Sequence, residues 1–387
     1  MANKTIYLDY AAATPLDSNV LAAMQPYLTD LFYNPSAPYQ PARKVRNDIE
    51  STRASVARTI GAKPTEIIFT AGATESVNLA FNIDGHVITT QTEHAAVLRA
   101  AKLRKGSTFV GVNEKGRVDP LDIKKFITPQ TTLVSVGLVN NETGTAQDIK
   151  AIAKVISDER QNRVKNDNPT PIYLHTDASQ AVGILDINVA RLGVDMMTLN
   201  GAKIYGPKQT GVLYLNSSID LKPILAGGGQ ERGLRSGTEN VANIVGLGVA
   251  IEIAERKRKT EVERLQKIRL QMLDILLENF NDMIVIGDQK HHAPHILTVA
   301  LPGLDAERIL FSLESQDILV ATGSACAANK DTRSHVLMAM ALEPDIIDGS
   351  LRFSFGRPTT TDDIDRAAKI IVETIKQERD RGKRIRQ

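Results

Sequence analysis

Apolar and polar positions alternate along this chain in two regimes. Between about residues 60 and 215, short β-type runs are separated by stretches with helical spacing. The runs are Glu66-Ile-Ile-Phe-Thr70, Gly85-His-Val-Ile-Thr-Thr90, Thr108-Phe-Val-Gly-Val112, Thr132-Leu-Val-Ser-Val-Gly-Leu138, Pro171-Ile-Tyr-Leu-His-Thr-Asp177, Val194-Asp-Met-Met-Thr198 and Gly211-Val-Leu-Tyr-Leu215. Strand and helix in alternation predict an α/β domain with a mostly parallel sheet. Ahead of it, Thr5-Ile-Tyr-Leu8 reads as a strand, and Val20, Leu21, Met24 and Leu28 after Pro15 read as a helix. An amphipathic helix is expected from Ala42 to Ile60, with Gly61 as its C-terminal cap. Another is expected over residues 181–192, between the runs that end at Asp177 and Thr198.

The second regime begins with a long helix, in which Val262, Leu265, Ile268, Met272 and Leu276 trace one face. Residues 255–264 are strongly charged and form its solvated part. The helix leads, near residue 257, into a smaller α+β unit that carries Ile296-Leu-Thr-Val-Ala-Leu301, Ile318-Leu-Val-Ala-Thr-Gly-Ser-Ala-Cys326 and Leu351-Arg-Phe-Ser-Phe-Gly-Arg357, closed by a helix from Asp362. The expected organisation is an N-terminal arm over residues 1–15 packing with the small domain, a large domain over 16–256 and a small C-terminal domain over 257–387. Residues 158–169 are polar and are expected to be solvated.

Composition narrows the function classes. The 387 residues are 42% hydrophobic and 24% charged with a net charge of +2, which suits a globular protein and gives no electrostatic footprint for nucleic acid. The opening Met-Ala-Asn-Lys-Thr-Ile-Tyr lacks the apolar run of a secretion signal, and no later run approaches a membrane span, so a cytoplasmic protein without a membrane partner is expected. The single cysteine, Cys326, excludes an intrachain disulfide. His291, His292 and His295 crowd together but lack cysteine or acid at ligand spacing, so they are read as structural and no metal is expected. The basic end, residues 379–386, reads as a solvated helix terminus.

The candidate chemistry gathers where strands end. Lys203 sits in the glycine-punctuated stretch Asn200-Gly-Ala-Lys-Ile-Tyr-Gly-Pro207, between two strands. Asp177 ends a strand one βαβ unit earlier, and residues beyond the carboxyl ends of neighbouring parallel strands face one crevice. An acid and a lysine converging there suit pyridoxal phosphate, which needs a lysine for its imine and a carboxylate to keep the pyridine nitrogen protonated; an ordinary ion pair is the simpler alternative. Ala71-Gly-Ala-Thr74 between a strand and a helix is a generic anion site or a plain turn. His94 and Asn141 lie at similar junctions, and the Gly227 to Thr238 loop, with its two arginines, has no core pattern. His94 is open to a capping role, and the loop to an anionic ligand, a subunit interface or simple exposure.

With these residues laid out, the sequence resembles the NifS/IscS-like cysteine desulfurases of the class V aminotransferase group. The motifs that carry the likeness are Gly72-Ala-Thr-Glu-Ser76, Thr92-Glu-His94, Val139-Asn-Asn-Glu-Thr-Gly144, Lys203-Ile-Tyr-Gly-Pro207, the Gly227 to Thr238 loop, Gly323-Ser-Ala-Cys326 and Arg352-Phe-Ser-Phe-Gly-Arg357. The resemblance implies a fold-type-I pyridoxal-phosphate enzyme, with a mostly parallel seven-stranded sheet in the large domain and a smaller α+β domain. It implies that Lys203 carries the cofactor and moves the substrate Cα proton, that Asp177 pairs with the pyridine nitrogen and that His94 stacks on the ring and assists proton transfers. Asn141 and Gln180 would address the ring hydroxyl. Ala73, Thr74 and, from a second subunit, Thr238 would hold the phosphate, and Asn200 would be a further cofactor contact. Arg352, with Asn141, would take the substrate carboxylate.

Cys326 would then receive the substrate sulfur as a persulfide, leaving L-alanine from L-cysteine, in a homodimer that hands sulfur to an iron-sulfur scaffold or a tRNA-thiolation factor. Selenocysteine or cysteine-sulfinate lysis on the same scaffold, or a catalytically silent partner protein, are the alternatives. The chain departs from the family where Asn200-Gly-Ala202 precedes the lysine in place of Ser-x-His, and at Tyr39, Ala71 and Ala95, where the family usually has histidine, serine and lysine. Loss of the imidazole beside the phosphate implies weaker cofactor retention, by about 1.5 to 3 kcal/mol at most.

Overall fold

The computed structural model describes residues 5–322 and 333–385. Strand β1 (Ile6–Tyr7) opens the chain, followed by helices α1 (Ser18–Leu28) and α2 (Gln40–Ile60). The Asp17 side chain caps α1 by accepting the amide of Asn19. Gly61 ends α2 at φ 73°, a left-handed conformation that glycine adopts without penalty. The chain then alternates as β2 (Ile67–Thr70), α3 (Ala73–Ala80), β3 (His86–Thr90), α4 (Ala95–Lys102), β4 (Thr108–Val110), α5 (Pro120–Phe126) and β5 (Thr131–Ser135). It continues through α6 (Ile149–Lys165), β6 (Tyr173–Asp177), α7 (Val189–Leu192), β7 (Met196–Asn200) and β8 (Gly211–Leu215).

These strands form one seven-stranded sheet in the order β2-β8-β7-β6-β5-β3-β4. β8 runs against both of its neighbours, and the other pairs are parallel. Both faces are covered, so the strands read as continuous apolar runs. The pleat sends alternate residues to opposite cores. Ile67, Phe69, Val134, Met197 and Val212 join one cluster, while Ile68, Leu133, Met196 and Leu213 join the other.

Helix α8 (Val241–Asn279) runs unbroken past residue 257. Its first half gives Leu247 and Ile251 to the large-sheet core. Its second half gives Leu265, Met272 and Leu276 to a separate cluster with Leu8, Leu297, Phe353 and Ile371. Around that cluster lie β9 (Ile284–Ile286), β10 (Ile296–Ala300), α9 (Ala306–Glu314), β11 (Ile318–Leu319), β12 (Ala321–Thr322), α10 (His335–Ala339), α11 (Pro344–Asp348), β13 (Ser350–Ser354) and α12 (Thr361–Ile385). β12, β13, β10 and β9 make an antiparallel sheet, and β1 pairs in parallel with β11. Among the described residues, no helix is long and apolar enough to cross a membrane.

Two expectations are corrected. The helix foreseen over 181–192 is reduced to α7, because the Gly183 amide donates to Glu255 and the Asp186 and Asn188 side chains accept from nearby amides. The two local bonds compete with helix formation and start it late, and the distant Glu255 takes an amide that a helix would use. Residues 158–169 are not uniformly solvated. Helix α6 continues to Lys165, and Arg163 is buried, donating to the carbonyls of Thr128, Thr131 and Thr170. Its fork of donors satisfies chain-end carbonyls that would otherwise be orphaned.

A second buried arginine ties α2 to the glycine-rich loop. Arg53 donates to both carboxylate oxygens of Glu231 at 2.7 and 2.8 Å, and Glu231 also accepts the amide of Phe69 at 2.8 Å. Their side chains are only 11% and 3% exposed. Glu231→Ala would leave the guanidinium only the exposed carboxylate of Glu50, 3.2 Å away, as counter-charge, so a loss of about 3 kcal/mol in urea unfolding is expected. Lys44→Ala, in a solvated pair with Asp48, should leave the unfolding midpoint nearly in place.

Candidate active site

The carboxyl ends of β2, β3, β5, β6 and β7 lie on one side of the sheet, and the chain leaving each of them reaches the same space. Thr74 follows β2, Glu93 and His94 follow β3, and Asn141 follows β5. Asp177 ends β6, Asn200 ends β7, and Lys203 lies just beyond it. With Ala11, Ala12, Ala73, Gln180 and Arg352, they line a cavity of about 270 Å³. The convergence follows from sheet topology, because parallel strands deliver their exits to one edge.

Lys203 closes a single 3₁₀ turn, Gly201–Lys203, capped by the Asn200 side chain accepting from Ala202 N at 3.1 Å. Its Nζ donates to the carbonyl of Ala12 at 2.6 Å. Thr14 donates to the carbonyl of Ala202 through both its amide, at 3.1 Å, and its hydroxyl, at 3.0 Å. The N-terminal arm is therefore stitched to the lysine loop. Asp177 accepts the amide of Ser179 at 2.9 Å. Gln180 is engaged at both ends, donating to Ala11 O at 2.9 Å and facing His295 Nε2 at 3.2 Å.

His94 caps α4 by accepting the Ala96 amide at Nδ1, 3.1 Å away. Burial holds its pKa below the ordinary 6.5; Asp177 opposes that shift, while Lys203 and His335 reinforce it. A neutral imidazole that accepts at Nδ1 carries its proton on Nε2. The capping role and the cavity position are thus compatible, and the cap selects the tautomer.

Glu93 was not singled out by the sequence reading. It accepts from Thr90 Oγ1 at 2.7 Å and from Gly137 N at 3.0 Å, which ties the exit of β3 to that of β5. Burial pushes its carboxyl up to about 7, a shift aided by the charge of Asp177 and resisted by the bonds from Thr90 and Gly137. Only its place between Thr92 and His94 could have pointed to it. Asn140 is also structural, taking the amides of Glu142 and Thr143 on its side-chain oxygen and donating to Thr92 O.

The donor set fits pyridoxal phosphate. Gly72 caps α3 at φ 130° and a side chain there would meet nothing within 4 Å, so space lies open at the helix amino end. The first-turn amides of Ala73 and Thr74 lack intrahelical acceptors and, with the helix dipole, favour a phosphate. Two buried polar atoms of cavity-lining residues, Ser179 Oγ and Arg352 Nε, have no hydrogen-bond partner among the described residues. Such atoms call for a polar occupant.

Two expected residues stand apart from this group. Thr238 lines a separate depression with Thr70, Ala71 and Arg235 and does not reach the cavity of its own chain. Cys326 lies outside the described residues. The arginines of the glycine loop are engaged within the chain, Arg235 with Glu75 at 3.0 Å and Arg232 with the carbonyl of Thr65. His292 and His295 bond to Gln266 and Gln180, and no cluster of potential metal ligands occurs among the described residues.

A crevice that joins a lysine, a carboxylate and a helix amino end on such a sheet defines the fold-type-I class of pyridoxal-phosphate enzymes. The aminotransferase class-V model matches residues 6–367. The cysteine desulfurase IscS of Dictyoglomus turgidum is 37% identical over 97% of this chain and 95% of its own. Among solved structures, a NifS-like protein superposes with a TM-score of 0.87 at 29% identity, covering 96% of this chain and 99% of its own. SspA in complex with cysteine gives 0.77 at 33% identity, over 91% of this chain and 99% of its own. The chain belongs to the class V aminotransferase family and, within it, to the cysteine desulfurases, whose members depend on pyridoxal phosphate.

The Glu93 environment carries a pH signature. The folded chain keeps the Glu93 proton to about pH 7, whereas an unfolded glutamate loses it near 4.5. Its contribution to stability is therefore complete below pH 4.5 and is lost as pH rises through 7. Glu93→Gln stays neutral throughout, so its stability relative to wild type should climb by on the order of 3 kcal/mol between pH 4.5 and 8. Buried His175 and His295, each pushed down to about 4, act in the opposite sense but cancel in this difference. Denaturant titrations at several pH values check it; a difference that stays flat contradicts it.

Proposed function

We propose that this protein is a pyridoxal-phosphate-dependent cysteine desulfurase that converts L-cysteine to L-alanine and keeps the sulfur as a persulfide on Cys326. The observation that carries this reading is the convergence of Lys203, Asp177, His94 and Arg352 on one cavity beside the amino end of α3. Full-length similarity to proteins named cysteine desulfurase supports it, as does the cysteine complex of SspA.

When bound, pyridoxal phosphate supplies an aldehyde that takes up the substrate amine and a ring that draws off the electron pair left at Cα. Asp177 would hold the ring nitrogen protonated. Lys203 would anchor the cofactor and carry the substrate Cα proton. His94, with its proton on Nε2, would stack on the ring. Asn141 and Gln180 would address the ring hydroxyl. The amides of Ala73 and Thr74 and the loop at Asn200 would hold the phosphate. Arg352, which lines the cavity, binds the substrate carboxylate. The Cys326 thiolate attacks the substrate sulfur, the Cβ–S bond breaks and its electron pair returns to carbon. The thiol proton ends in the alanine methyl group, so the reaction balances without an oxidant or reductant.

The functional unit is proposed to be a homodimer in which Thr238 of one copy completes the phosphate site of the other. Its position outside its own cavity supports this, as do the exposed apolar side chains of Leu28, Phe32 and Tyr39. The sulfur acceptor is proposed to be an iron-sulfur scaffold or a tRNA-thiolation protein.

The test is to incubate the pyridoxal-phosphate-loaded protein with L-cysteine and no reductant, then measure alanine and the protein's mass. About one alanine per chain and the added mass of one sulfur on Cys326 are expected, with neither in Cys326→Ser. Elemental sulfur or sulfide release that survives Cys326→Ser would sink the persulfide route and favour lysis of a related substrate.

A further inference from the structure

Arg352 is held by a residue that the reaction scheme leaves unused. Its NH2 nitrogen donates to Asp9 Oδ1 at 2.6 Å, and its NH1 nitrogen to the carbonyl of Asn141 at 2.9 Å. Both partners of the ion pair are shielded, with side chains 6% and 20% exposed. The third nitrogen, Nε, is buried and has no partner among the described residues. The guanidinium is planar, so contacts at two of its nitrogens fix the orientation of the third.

The placement of Asp9 is itself enforced. A parallel bridge sets Asp9 opposite Ser354, two residues beyond Arg352 on β13. The backbone on either side is clamped to Ser354: its amide donates to Leu8 O at 2.7 Å, its carbonyl accepts from Tyr10 N at 3.4 Å, and its hydroxyl accepts from Ala11 N at 2.9 Å. Tyr7 adds a hydroxyl bond to Asp9 O at 2.8 Å. Side chains alternate along extended backbone, so a slip of one residue in this register would turn the carboxylate away from Arg352.

We propose that Asp9 is a positioning residue for substrate recognition, which pre-orients Arg352 so that its guanidinium meets the carboxylate of the incoming amino acid. This rests on Arg352 being the carboxylate site. An arginine side chain carries substantial rotamer freedom, and a guanidinium fixed before binding spares the ligand the cost of ordering it. The N-terminal arm thereby acts twice on the site, through Ala12 on Lys203 and through Asp9 on Arg352.

The test uses holoenzyme and two unreactive amines that differ only in the group at issue, L-alanine and ethylamine, titrated against the cofactor absorbance band. Asp9→Ala should weaken L-alanine binding about tenfold, the size of one charge-assisted hydrogen bond, and leave ethylamine unchanged. Asp9→Asn, which keeps an acceptor, should fall between. In an Arg352→Ala background, Asp9→Ala should have no further effect on L-alanine. Equal weakening for both amines would make Asp9 a merely structural residue and overturn the proposal. Tighter L-alanine binding would make it a competitor of the substrate and do the same. If Arg352→Ala itself fails to separate the two amines, the carboxylate assignment of Arg352 falls, and the role of Asp9 falls with it.

Discussion

The site depends on the seam between the N-terminal arm and the turn at the end of β7. That turn is one 3₁₀ loop, and a loop so short has little rigidity of its own. Its fixed position comes from two bonds of Thr14 to the carbonyl of Ala202, and from Lys203 Nζ reaching Ala12 O. The arm, in turn, is anchored by its pairing with β11 and by the Ser354 clamp. A chain segment that contributes almost nothing to the large-sheet core therefore sets where the lysine sits.

Electrostatics around the crevice are set by what the protein buries. Glu93 at about 7 stays largely protonated in acid and places no second full charge beside Asp177 there. His175, pushed down to about 4 by burial, is neutral at ordinary pH and bridges Ser135 Oγ at 2.8 Å and Thr198 Oγ1 at 2.9 Å beneath the strand ends. In acid, Asp177 thus faces neutral neighbours on its own strand and on the exit of β3. A carboxylate meant to hold a cationic ring nitrogen is served by such surroundings, since nearby formal charges would redirect it.

Much of this was legible in the sequence, for identifiable reasons. The seven runs of the large sheet are apolar on both faces, so each was visible as a continuous block, and the acid and lysine at their ends could be matched through βαβ topology. What escaped detection depended on pairing across long separations. Asp9 meets Arg352, and Thr14 meets Ala202, with nearly the whole chain or half of it between them, and no periodicity marks such contacts. Glu93 was overlooked because an acid beside a candidate histidine reads as solvated until its burial is known. The misjudged helix over 181–192 has the same origin in reverse. Its apolar spacing was real, but short-range bonds to Asp186 and Asn188 and a distant one to Glu255 overrode it.

The central claim, that Lys203 is the residue to which the cofactor is bound in this crevice, is open to one direct measurement. The protein is loaded with pyridoxal phosphate, reduced with borohydride to make any imine permanent, digested, and its peptides weighed. The account predicts a single phosphopyridoxyl adduct on the peptide containing Lys203, lost in Lys203→Ala. An adduct on Lys208 or another lysine, or no adduct on protein that has taken up the cofactor, would contradict it.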